Sequence, residues 1–172
     1  MEYDAMRRSF QFPIFLFSLV GVFALFLFLS IGVKAMERNW SISGTGDKIS
    51  VADCADCDED IGILLSCLGA GKGVELTVPS VAVEKVVEGS ATMVKFIIDG
   101  RAIAYSGVVE LQGLIGYLPR ILIGFDDPII EALAAGQQLV VKFANTEAKI
   151  SLSGSRPALT QLSSQCRAWT PK

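Results

Sequence analysis

The longest unbroken pattern in the chain is an apolar run, IFLFSLVGVFALFLFLSIGV at residues 14–33. Arg7 and Arg8 precede it, and no charged side chain falls between Phe12 and Val33. Coiled into a helix, a run of this length matches the apolar thickness of a bilayer. It is apolar on every face, which a helix on the surface of a small domain cannot be. The two arginines hold the N-terminus on the cytoplasmic side and send the C-terminal remainder of the chain across the membrane. The pattern therefore predicts one N-terminal apolar helix within residues 1–35. Val33-Lys34-Ala35 offers side chains suited to cleavage after Ala35. The length of the run suits a retained anchor, so signal peptide and signal anchor both stay open.

From residue 36 to 172 the pattern changes to short alternating runs, the period-2 signature of strands. Trp40 and Ile42 alternate with polar neighbours, a Gly-Thr-Gly turn comes next, and Lys48 to Val51 resumes the strand pattern. DCADCDED at 53–60 reads as an acidic loop, IGILLSCLG as a buried strand and GAGKG at 69–73 as a turn. Val74 to Val78 reads as a strand that Pro79 ends. Thr92 to Ile98 and Ala102 to Val109 flank Asp99-Gly100, a pair that predicts a hairpin because its turn needs positive φ. Leu118 to Phe125 is a further strand.

Asp127 as cap, Pro128 as first residue and Gly136 as stop predict a helix over IIEALAA. Gln138 to Ala144 and Ala148 to Leu152 complete the strands. Leu159, Leu162 and Cys166 share one helical face and predict a last helix starting near Ser155 to Pro157. The tail beyond it frays unless Trp169 docks. The expected fold is mainly β: an antiparallel sandwich or partly open barrel of about seven or eight short strands with two short helices.

Composition then narrows the chemistry. The chain has 172 residues and is 51% apolar, with the excess concentrated in residues 14–33. Residues 36–172 are enough for one ordinary domain. Net charge is −3, and beyond Ala35 there are 12 Lys and Arg against 16 Asp and Glu. No basic cluster exists to neutralise phosphates, which excludes a nucleic-acid partner. Histidine is absent altogether. That removes the commonest general base and metal ligand together, and with them His-dependent triads and the usual zinc sites. No cofactor and no catalytic residue is expected.

Four cysteines stand at Cys54, Cys57, Cys67 and Cys166. In an oxidising compartment an even set of this kind is a structural framework, and four cysteines allow three pairings. A bridge from Cys166 back to the 54–67 region would pin the last helix to the first sheet. The alternative is a redox-active Cys54-Ala55-Asp56-Cys57. Such motifs lower one thiol pKa with cations or a helix N-terminus. Here Asp53, Asp56, Asp58, Glu59 and Asp60 surround the pair, and negative neighbours suppress the thiolate.

Asp56, Asp58, Glu59 and Asp60 also suggest a cation-binding or partner-binding loop. As an EF-hand it fails, with Ile61 where glycine is needed and Cys67 where the bidentate Glu should be. GAGKG lacks the phosphate-loop spacing. Tyr117 and Arg120, in GYLPR at 116–120, form a candidate recognition patch.

The stretch ALAAGQQLVVKFANTEAKISLSGSRPALTQLSSQC, with its helix and Gly before a strand, its Leu-Ser-Gly-Ser and its Ala-Leu-x-x-Leu helix, resembles the ending of the invasion-associated locus B family of small exported proteins from alphaproteobacteria. Trp40 after the leader and the nearby cysteines are also similar. CADCDED and the long apolar leader depart from that pattern. The resemblance implies an envelope protein of accessory character and brings no catalytic residues with it.

These readings leave three functional expectations. The first is a non-enzymatic module of the periplasm or cell envelope, stabilised by disulfides and acting on an envelope protein partner. It is tethered to the inner membrane through residues 14–33 if the leader is uncleaved. The second is a thiol-disulfide oxidoreductase using Cys54 and Cys57. The third is a single-span accessory subunit of a membrane complex.

Overall fold

The computed structural model describes residues 38–69 and 71–168. The apolar helix and the cleavage site expected within residues 1–35, and the docking of Trp169, lie outside the described residues. Nine strands and two helices run in chain order: β1 (Asn39–Ser43), β2 (Ser50–Asp56), β3 (Asp60–Cys67), β4 (Val74–Thr77), β5 (Ala91–Ile98), β6 (Arg101–Gln112), β7 (Gly116–Ile123), α1 (Pro128–Ala135), β8 (Gln138–Phe143), β9 (Thr146–Ser151) and α2 (Ser155–Ala168).

All nine strands join in one antiparallel sheet in the order β1-β2-β3-β4-β7-β6-β5-β8-β9. The sheet has nine strands where about seven or eight were expected, and DCADCDED is not the expected loop but lengthens two of them. Asp53 to Asp56 finish β2, Asp60 opens β3, and only Cys57, Asp58 and Glu59 form the turn between them. A β-bulge around Cys54 lets this acidic segment pair. The sheet is not closed by strand pairing. The Trp40 indole of edge strand β1 nevertheless donates to the Ser151 carbonyl of edge strand β9 at 3.1 Å.

Alternation sets the buried face. In β5, Val94, Phe96 and Ile98 are buried while Met93 and Lys95 are exposed, and each large apolar side chain so removed from water contributes about 1.5–3 kcal/mol. The Asp99-Gly100 hairpin forms as expected, with φ of 47° and 84° at its two central residues. Both Asp99 carboxylate oxygens also accept backbone N–H groups, from Gln137 at 3.0 Å and Gln138 at 2.9 Å, so the turn anchors the start of β8.

Pro119 sits inside the sheet, where a proline normally breaks the ladder. Backbone hydrogen bonds of Val109, its neighbour on β6, run toward Gly89 and Ser90, away from β7. Pro119 therefore needs no N–H toward β6. On its other side β4 stops at Thr77, opposite Arg120.

The helices close one rim of the sheet. Asp127 caps α1 by accepting from the Ile129 N–H at 3.0 Å. It also accepts from the Tyr105 hydroxyl of β6, tying helix to sheet. Tyr105 packs edge-on against Phe96 with ring centroids 5.9 Å apart. Burial, then the Asp127 carboxylate, raise the Tyr105 pKa. The α2 helix starts where buried Ser155 donates to the Leu133 carbonyl at 2.8 Å. Leu159, Leu162 and Cys166, the face expected from their spacing, are buried.

Candidate functional site: two disulfides and an acidic hairpin

Cys67 and Cys166 are bonded to each other, with Cα atoms 5.8 Å apart. Both are buried in the main core. The bridge joins the end of β3 to the last turn of α2, as a link from Cys166 to the early sheet was expected to do. Beside it the Gln165 side chain accepts from the Gly46 N–H at 3.1 Å, so α2 is held at covalent and polar points together.

Cys54 and Cys57 form the second bridge, Cα to Cα 5.0 Å. Cys54 is buried near the end of β2, whereas Cys57 stands exposed in the turn. This pairing is the one the redox expectation requires. Its surroundings are less suited to that chemistry: the motif lies in a strand and a tight turn, and among the described residues it does not open a helix.

The carboxylates of the hairpin divide into two groups. Arg38 binds Asp53 through Nε at 2.8 Å and Asp60 through Nη1 at 2.8 Å, clamping the ends of β2 and β3 together. Asp53 is 1% exposed, and its second oxygen, Oδ1, has no hydrogen-bond partner among the described residues. Burial raises its pKa, partly offset by the guanidinium. Gly62 on β3 makes the clamp possible, because a Cβ there would lie 2.6 Å from Asp53 Oδ2 and 2.7 Å from Arg38 Nη2. Arg38 was not singled out by sequence reading; its two carboxylates lie 15 and 22 residues away along the chain.

Asp56, Asp58 and Glu59 are exposed, and Asp56 accepts from the Asp58 N–H at 3.1 Å, a local turn contact. Among the described residues no group of three or more Cys, Asp or Glu side chains is arranged to hold a metal ion. Asp56, Asp58, Glu59 and Asp60 thus share a hairpin but do not converge on a cation.

Tyr117 and Arg120 are not brought together. Their odd spacing on β7 places them on opposite faces. Tyr117 packs against the core and exchanges backbone hydrogen bonds with Val83. Arg120 is bound by Glu75 and, at 3.0 Å, by Glu110, carboxylates from β4 and β6. It laces three strands together, and these partners raise its pKa.

Two clefts of the domain lie at the helical rim. One cleft runs between α1 and α2, lined by Phe125, Ile130, Glu131, Leu159 and Arg167, and another lies beside the Asp99-Gly100 turn. Neither of these two clefts is lined by a cysteine.

Fold and site together define a class: a disulfide-braced, mainly β domain with an open nine-stranded antiparallel sheet and two helices. No protein-family model matches the sequence, and curated proteins give no match. Among solved structures the chain is similar to invasion associated protein B from Bartonella henselae, at 16% identity, with a TM-score of 0.40, covering 72% of this chain and 96% of that one. A likeness at that level carries no argument about activity.

Proposed function

We propose that the chain is an exported, non-enzymatic module of the cell envelope that works by binding a protein partner there and depends on its disulfides for rigidity. The observation that carries this reading is the buried Cys67–Cys166 bridge, which ties the C-terminal helix to the third strand across 99 residues. A covalent tie of that span suits a compartment where thiols are oxidised. The Arg-flanked apolar run at 14–33 supplies the route, either as a cleaved signal or as an inner-membrane tether. Retained, it would make the chain a single-span accessory subunit.

The test is mass spectrometry of the unreduced native protein, with non-reducing peptide mapping. The expected result is two bridges, 54–57 and 67–166, in material recovered from the envelope. Four reduced thiols in cytosolic material would overturn the reading.

A second reading, thiol-disulfide exchange at Cys54–Cys57, draws on the exposure of Cys57 and on the mutual pairing of the two cysteines. Turnover of a dithiol or disulfide substrate, abolished by Cys54→Ser, would establish it and displace the first.

A further inference from the structure

The β6–β7 hairpin reaches past the rest of the sheet. β4 pairs with β7 only from Arg120 to Ile123, and β5 pairs with β6 only as far as Val108. Past those pairs Gly89 and Ser90 bond Val109, and farther out Val83 bonds Tyr117, so the turn around residues 112–116 is what stands beyond the flanking chain.

The tip of this hairpin is apolar. Leu114 is fully exposed, and Leu111 and Ile115 are 47% and 54% exposed. LQGLIGYL, residues 111–118, contains no charged side chain. Three large apolar groups clustered at one exposed turn, unlike apolar side chains scattered singly over the surface, mark a contact site.

Strand direction identifies what that tip meets. Neighbouring strands alternate, so the start of β1 and the β6–β7 turn lie at the same rim, opposite the helices. Arg38, just before β1, is five residues beyond Val33, where the apolar run ends. Five residues span at most roughly 17 Å, a short tether between that run and this rim. We infer that Leu111, Leu114 and Ile115 enter the interfacial layer of the bilayer that holds residues 14–33, giving the domain a second contact with the same membrane. The inference rests on reading that run as a retained span. Insertion is apolar, since Asp58 and Glu59 at the same rim oppose an anionic surface.

The full chain is reconstituted into phosphatidylcholine vesicles with and without acyl-brominated phosphatidylcholine, as Leu114→Trp and, at the opposite rim, Lys72→Trp. The expected result is emission of the Leu114→Trp chain quenched by brominated lipid beyond the baseline that Trp40 and Trp169 set, with Lys72→Trp at baseline. Resistance to alkaline carbonate with no added quench of Leu114→Trp would overturn the tip contact and leave the span reading standing. Blue-shifted Leu114→Trp emission that bromine does not quench would indicate a protein contact instead and also overturn it. Release by carbonate would sink the span reading and this inference with it.

Discussion

Asp53 shows how one side chain holds opposing demands. Its carboxylate bonds Arg38 with one oxygen while the other is buried without a partner among the described residues. Burial outweighs the cation and raises its pKa. The folded chain then holds the Asp53 proton more tightly than the unfolded chain. This group's contribution to stability is fully present below the unfolded value of about 3.9 and is lost as pH rises through the folded pKa. Urea denaturation across that range should show native stability falling relative to Asp53→Asn as pH rises; a relative rise would mean that the Arg38 pair dominates. Asp99 presents the contrary case, a carboxylate in a demanding backbone position that is well supplied with donors. Asp99→Ala removes two acceptor contacts and forces a φ of 47° on alanine. It should cost about 1–3 kcal/mol. Asp99→Asn, which tolerates that backbone and keeps an acceptor oxygen, should cost less by the same measurement.

At the scale of elements, the two disulfides differ in how much chain they constrain. Chain-entropy reasoning values the bridge of separation 99 at about 4–5 kcal/mol and that of separation 3 at roughly 2 kcal/mol. Paired serine replacement at 67 and 166 should therefore lower unfolding free energy by roughly 2–3 kcal/mol more than replacement at 54 and 57. Equal losses would mean that α2 docks firmly without its covalent tie. Which elements the sequence revealed obeys the same local logic. The Asp99-Gly100 hairpin, the Asp127-Pro128 helix start and the α2 face were legible because each is fixed by residues within one or two turns. The Cys54–Asp60 hairpin was not, because its carboxylates look solvated until Arg38 arrives from β1's side and Gly62 leaves room for it. Arg120 was legible as unusual but not as a lace across three strands, since Glu75 and Glu110 reach it through sheet order alone.

The strands of the described residues form a single sheet whose sequence order and spatial order diverge at β4, where the chain leaves for β5 and β7 returns beside it. That topology makes the domain depend on residues far apart in the chain, yet its sulfur chemistry is simple. The bridges join first thiol to second and third to fourth. For a chain whose residues beyond the leader cross in sequence order, an oxidase acting on each thiol as it emerges reaches the native pattern with no reshuffling. Cys67 waits for Cys166 while Cys54 and Cys57 are already occupied with each other. Accumulation of the protein in an oxidising compartment should survive loss of a disulfide isomerase and fall on loss of the thiol oxidase, as an immunoblot of steady-state levels would read. A steep fall without the isomerase would mean that wrong pairings form first and must be undone.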